Sequence, residues 1–177
     1  MTTNIVNNVD LSKISALIEQ GKKDRSALRK IIKLEGEWIL DESKGFQFRS
    51  EMAYEKGKQV LEIDSPTWLG GQGNRLGPMA YCIAGLTSCF IATFASVAAS
   101  KGIRLRRLRV SSNCVVNFAK TLDVADEPIT ESINFDVDAE AENADKAKLE
   151  EILKLARERC PAVYSMEHVI KVNTTLR

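Results

Sequence analysis

The residues best able to do chemistry are four cysteines, Cys82, Cys89, Cys114 and Cys160, in a chain with a single histidine. One histidine and no C-x-x-C pair speak against a zinc site, whose ligands come in closely spaced pairs. The polar start of the chain has no basic-then-apolar leader pattern, so the protein is expected to be cytoplasmic. In that setting the thiols do not read as a disulfide framework, which leaves buried thiols or redox groups. Cys82 and Cys89 are seven residues apart in a stretch read as helix. They share a stripe but sit roughly 10 Å apart along the axis, too far for a disulfide on an intact helix. Cys114 lies on the apolar side of an alternating run and reads as a small buried hydrophobe.

Cys160 differs because Pro161 follows it. Proline disfavours the helical conformation in the residue before it and suits the first position of a new helix. A helix from about residue 144 is therefore expected to stop at Cys160, and a short one to run from Pro161 to about Glu167. A thiol at that N-cap meets unsatisfied N–H groups and the positive end of the helix dipole, which lower its pKa. Arg157 and Arg159 also lie close in sequence. Cys160 is thus a candidate reactive thiol, the alternative being a cysteine that packs at a helix junction.

His168 shares the parity of Ile170 and Val172, which places it in the core or at a sheet edge rather than as a catalytic base. Arg49 and Glu51, two apart on a strand, share a face, where they can pair or stand as solvated charges. No G-K-[ST] follows the glycines between Gly70 and Gly77, so they read as a loop leading into a helix and not as a phosphate cradle.

These groups need elements to position them. Residues 10–20 have helical spacing, with Asp10 as N-cap and Gly21 as the expected end. Period-two alternation then predicts an antiparallel meander: Ile32, Leu34, Trp38 and Leu40 on one side, then Phe46, Phe48 and Met52, then Gln59 to Ile63, with turns at 41–45 and 55–57. The 25 residues from Leu76 to Ser100 carry no charge and are long enough to span a bilayer. Small residues recur there every four positions, at Ala84, Ser88, Ala92, Ser96 and Ser100, a ridge suited to close helix contact. With half-polar strands on both sides and no second span, the stretch is read as a buried central helix, not a membrane segment.

Alternation returns with Leu108, Val110, Cys114, Val116 and Phe118 opposite Arg107, Arg109, Ser111, Asn113 and Asn117. A second strand carries Ile129, Ile133, Phe135 and Val137 inward. A helix over 144–159 presents Leu149, Ile152, Leu153 and Ala156, and a last strand is expected near 168–176. The order gives an α+β fold with mostly antiparallel pairing. With 25 Lys+Arg against 24 Asp+Glu, 44% hydrophobic and 28% charged residues, the composition is that of one soluble globular domain without the basic excess that holds nucleic acid.

Two segments carry a family resemblance. Asp64-Ser-Pro, Leu69-Gly70-Gly71, Gly77-Pro78 and Ala84-Gly-Leu-Thr-Ser-Cys89-Phe resemble the segment that introduces the central helix of OsmC/Ohr-like proteins, and Ala156-Arg-Glu-Arg-Cys160-Pro161 resembles that family's second cysteine motif. The resemblance makes residues 29–177 an OsmC-like domain and leaves 1–28 as an N-terminal helical extension. It implies an intertwined homodimer, with antiparallel sheets around a long buried central helix. It further implies a thiol peroxidase that reduces organic hydroperoxides with no metal, flavin or haem, with Cys89 as peroxidatic thiol, Cys160 as resolving thiol and a dithiol reductant closing the cycle.

In this first-attacker role the resemblance and the helix-terminus argument differ. Peroxidase members carry a Glu just after the Pro that opens the central helix, where it holds an activating Arg; here that position is Met79. Arg49 held by Glu51 is the substitute the resemblance suggests, with Arg75 the other arginine near the helix start. The second functional expectation, from another class, is a noncatalytic dimeric module that binds an apolar small molecule or lipid at the dimer interface.

Overall fold

A computed structural model describes residues 4–176. In chain order the elements are β1 (Ile5–Val6), β2 (Val9–Asp10), α1 (Leu11–Lys23), β3 (Gly36–Trp38), β4 (Phe48–Tyr54), β5 (Gly57–Ile63), α2 (Pro78–Ser100), β6 (Leu105–Val116), β7 (Thr130–Ala141), α3 (Lys146–Arg159) and α4 (Pro161–Glu167). They fall into two compact units. One joins the start of the chain, up to Glu19, with everything from Gly85 on; the other is Gln20–Ala84.

The first unit holds Cys89, Cys114 and Cys160. β6 and β7 form a long antiparallel hairpin in which Val110 faces Val137 and Cys114 faces Ile133. Alternation does what the sequence promised: Leu108, Val110, Cys114 and Val116 turn inward while Arg107 and Arg109 turn out. On the outer face Arg107 bonds Asp138 at 2.8 Å and Glu140 at 3.0 Å. The inner face is covered by α2 through Leu86, Phe90 and Phe94, with Ile152 and Ala156 of α3 completing the core. The Phe90 and Phe135 rings stack at 4.8 Å. Thr87 and Ser112 satisfy each other's hydroxyls at 2.7 Å, so neither is left unpaired where the helix meets the strand. The small-residue side of α2, with Ala84, Ser88 and Ala92, is exposed.

The chain's start joins this unit through a two-stranded hairpin. Asn7 and Asn8 take positive φ of 52° and 62°, which a tight hairpin turn demands and asparagine tolerates. The Asn7 amide then donates to Ile103 O at 2.9 Å and accepts from Leu105 N at 2.8 Å, just past the end of α2.

In the second unit β3, β4 and β5 form an antiparallel sheet with Trp38 opposite Phe48 and Phe48 opposite Ile63. After β5 the chain folds around Asp64, which is 1% exposed. Its carboxylate accepts from Gln72 N at 3.1 Å and Asn74 N at 3.0 Å and so shapes the loop that leads into α2. Gly71 is required there, because a Cβ would lie 1.9 Å from the Ser65 carbonyl oxygen.

Three expectations on elements need correction. Gly21 does not end α1, which runs on to Lys23; the glycine is there because a Cβ would meet Leu28 at 2.6 Å. The first strand of the meander shrinks to Gly36–Trp38, since only those residues find backbone partners on β4, and Ile32 and Leu40 stand 89% and 88% exposed. No strand forms over 168–176: the segment is extended coil, and Val172 is 83% exposed. The outer edge of β7 has no strand beside it among the described residues.

Candidate functional site

Cys89 sits at the middle of α2, on the turn between Leu86 and Phe90, and Cys160 sits at the joint of α3 and α4. That joint is built as the Cys-Pro pair predicts. Cys160 is extended at φ −71° and ψ 118°; its N–H still bonds Ala156 O, and its C=O accepts from Tyr164 N, both at 2.9 Å. It closes one helix and opens the next, with Pro161 in the first position. Its side chain makes no cap hydrogen bond to its own helix. It turns to α2 instead, where its Sγ lies 3.7 Å from Cys89 Sγ. Cys160 is wholly buried and Cys89 partly exposed.

Burial pushes the Cys89 thiol above its ordinary pKa. The backbone N–H of Ala162, in the first turn of α4, pulls the other way, while Cys160 raises it again. The free N–H groups at the start of α4 were expected to serve Cys160. One of them, that of Ala162, acts on Cys89 instead, while the N-cap side chain turns across to α2. Pro161 signalled the helix start; nothing in the sequence showed which thiol would lie in front of it.

The remaining candidates are distributed as follows. Arg157 is held by Glu167, whose Oε1 accepts from its Nε at 3.1 Å and its Nη2 at 2.6 Å. Arg159 is exposed. Arg49 and Glu51 lie on β4 in the Gln20–Ala84 unit. They do not form the expected pair: Glu51 bonds Lys58 at 2.6 Å. Lys58 stands diagonally across from Glu51 on β5, within reach of its long side chain. That hydrogen bond, and then the ammonium charge, hold the Glu51 carboxyl below its usual range. Arg49 makes no ion pair among the described residues.

Arg75 is bound to Glu62, with Nη2 at 3.0 Å, and lies 5.9 Å from the Phe46 ring centroid. Met79 occupies the first turn of α2, 37% exposed, and Cys82 is exposed. Cys114 is half-buried, and His168 is exposed, stacked on Tyr164 at 4.0 Å as the C-cap of α4 rather than set in a strand. Among the described residues no group of His, Cys, Asp and Glu is placed to hold a metal ion.

Beside the thiols, in the same unit, runs a groove of about 720 Å³ with an apolar floor of Leu86, Phe90, Ile133, Phe135 and Val163, and with Arg157 and Glu167 on its rim. The arrangement therefore combines two thiols in contact, one of them reachable, beside an apolar groove. Two such thiols can lose two electrons and two protons to become a disulfide, for which the sulfurs must close to about 2.05 Å.

A family model described as OsmC-like protein matches residues 71–175, more than half of the chain. Among solved structures the fold is similar to that of an OsmC-like protein from Mycoplasma pneumoniae, at 18% identity over 79% of this chain and 91% of that one, with a TM-score of 0.55. It is also similar to an organic hydroperoxide resistance protein OsmC from Legionella pneumophila, at 17% identity over 78% and 91% with a TM-score of 0.54. A third, an organic hydroperoxide resistance protein from Elizabethkingia anophelis, is 14% identical over 78% and 90% with a TM-score of 0.55. At these identities the likeness is one of fold. No curated protein matches the chain.

Proposed function

The chain belongs to the OsmC-like protein family, and from that premise we propose that it is a cytoplasmic two-cysteine thiol peroxidase that reduces organic hydroperoxides to alcohols. The observation that carries the reading is the 3.7 Å separation of Cys89 and Cys160 Sγ, brought together across 71 residues of sequence. A binding module has no need of that contact. Two of the similar folds are named organic hydroperoxide resistance proteins, which supports the same reading.

Accessibility assigns the roles. A peroxide must reach the first sulfur, and of the two only Cys89 is exposed at all. Its thiolate attacks the terminal peroxide oxygen; the O–O bond breaks, the alkoxide leaves and takes a proton to become the alcohol, and Cys89 is left as a sulfenic acid. Cys160, as thiolate, then attacks the Cys89 sulfur. The S–O bond breaks, hydroxide leaves as water after taking a proton, and the disulfide closes. A dithiol reductant restores both thiols by exchange. The Ala162 N–H favours the anionic form of Cys89 and offers a donor beside the reacting sulfur. Arg49, free of ion pairs among the described residues, is the cation we assign to the thiol's activation, without help from Glu51.

The working form we propose is a homodimer. Ile32, Leu40, Val172 and Leu176 are 83–99% exposed in the single chain. So many uncovered large apolar groups, with a free β7 edge, call for a partner surface.

Exposed Met79 and Cys82 at the start of α2 favour a second reading, the noncatalytic module binding an apolar small molecule or lipid. One experiment separates the two. The reduced protein receives one equivalent of cumene hydroperoxide, with hydrogen peroxide in parallel, and its peptides are mapped. Rapid Cys89–Cys160 disulfide, faster with the organic peroxide, is expected of the peroxidase. Thiols unmodified after many minutes would reject it in favour of the binder.

A further inference from the structure

Cys160, whose Sγ lies 3.7 Å from Cys89 Sγ, and Ala162, whose N–H acts on Cys89, both belong to one bend, the joint where α3 stops and α4 starts. Their placement against Cys89 depends on the angle between the two helices. The joint's own backbone offers little to fix that angle: two hydrogen bonds, one ending α3 and one starting α4, meet at a single extended residue. Beyond it, α4 is only seven residues long. What spans the bend is a side-chain pair. Arg157, in the last turn of α3, bonds Glu167, the last residue of α4, through two donors to one carboxylate oxygen, at 3.1 and 2.6 Å. Glu167 and Arg157 also edge the groove floored by Leu86, Phe90 and Val163, so the strap lies on the side of α4 that faces α2 and β7.

We infer that Arg157 and Glu167 are positioning residues, a strap across the α3–α4 bend that holds Cys160 at bonding approach to Cys89 and so sets how readily the disulfide closes. The inference takes the proposed two-thiol cycle as its ground. It adds that the second step, in which Cys160 sulfur displaces hydroxide from the Cys89 sulfenic acid, is governed by an ion pair that touches neither sulfur. Both partners are well exposed, with 71% and 44% of the side-chain surface open, so the strap is a modest one. An exposed pair shifts an equilibrium by about 1.5- to fivefold.

The test uses the full chain and two independent readouts. In glutathione redox buffers, the effective concentration of the Cys89–Cys160 pair is expected to fall about 1.5- to fivefold in Glu167→Gln and in Arg157→Gln. It is expected to recover in the exchanged double variant Arg157→Glu/Glu167→Arg. After a pulse of cumene hydroperoxide, the Cys89 sulfenic acid, trapped by dimedone, is expected to persist longer in the single variants by the same ratio. Unchanged effective concentration in both single variants overturns the strap. So does a loss that the exchange does not restore, because the cause would then be local damage rather than the pair. A wild-type protein that ignores the peroxide yet shows the glutathione effect would leave the strap standing and defeat the peroxidase reading alone.

Discussion

Oxidising Cys89 and Cys160 to a disulfide is expected to stabilise the fold, and the size of the gain follows from where the two residues sit. They are 71 residues apart in sequence. In the chain-entropy account a cross-link closing a loop of that length removes about 4 kcal/mol worth of freedom from the unfolded chain at 25 °C. Against that stands the cost of closing the sulfurs from 3.7 Å to about 2.05 Å. The two side chains and the bend at Cys160 must together close more than an ångström between the sulfurs. Allowing about 1 kcal/mol for an off-rotamer side chain and small backbone strain, the net is about 3 kcal/mol in favour of the oxidised form. For a chain of this size that is a rise in Tm of about 6–12 °C. Reduced and oxidised protein would be melted side by side at one concentration, since assembly shifts Tm by mass action, with Cys160→Ser treated with the same oxidant as control. Coincident melts, or an oxidised form that melts lower, would refute the reasoning. Either result would mean that the sulfurs reach bonding distance only by breaking the packing around Ile152 and Ala156.

Three further outcomes are expected. Because burial raises the Cys89 pKa, its alkylation by iodoacetamide should climb steadily from pH 7 to beyond pH 9. The same raised pKa gives stability that is fully present below the unfolded thiol value of about 8.5 and lost as pH rises through the folded one, so urea midpoints should drop at alkaline pH, and less so in Cys89→Ser. Asn7→Ala strips bonding partners from Ile103 O and Leu105 N and leaves alanine at positive φ, which should cost about 2–3 kcal/mol by urea melts. Arg49→Ala, if Arg49 is the activating cation, should slow cumene hydroperoxide reduction at pH 7 by at least about tenfold, one pKa unit's worth of thiolate; an unchanged rate would remove Arg49 from the site.

The periodic parts of this fold were legible because local pattern and tertiary burial agree. Leu108, Val110, Cys114 and Val116 alternate inward on β6, and Pro161 starts α4 where a proline should. The failures share a cause. Ile32, Leu40 and Val172 have strand character, but a strand needs a neighbour, and among the described residues none pairs with them. Alternation reports that a residue is fit for a sheet; it does not say whose edge completes it. Gly21 failed differently. A glycine near a helix end looks like punctuation, and only the fold reveals Leu28 against it; the bonds of Asn7 to the backbone just past α2 had no signal in the sequence at all.

The two ways of choosing the reactive thiol meet in the geometry of the α3–α4 bend. Sequence reasoning put the activating helix start at Cys160, and the resemblance put the attack at Cys89. The bend turns the N-cap side chain toward α2, and the Ala162 N–H of the helix start then acts on Cys89 rather than on Cys160. One short helix thereby brings Cys160 and a backbone donor toward Cys89 together. What it does not bring is charge. One N–H bond does not offset burial, since the Cys89 pKa stays raised. With Met79 where a carboxylate would hold an arginine, and Glu51 occupied by Lys58, any further activation must come from a cation that needs no acidic holder. Arg49 meets that condition, and for this reason its removal is a sharper test of the chemistry than removal of any acid in the chain.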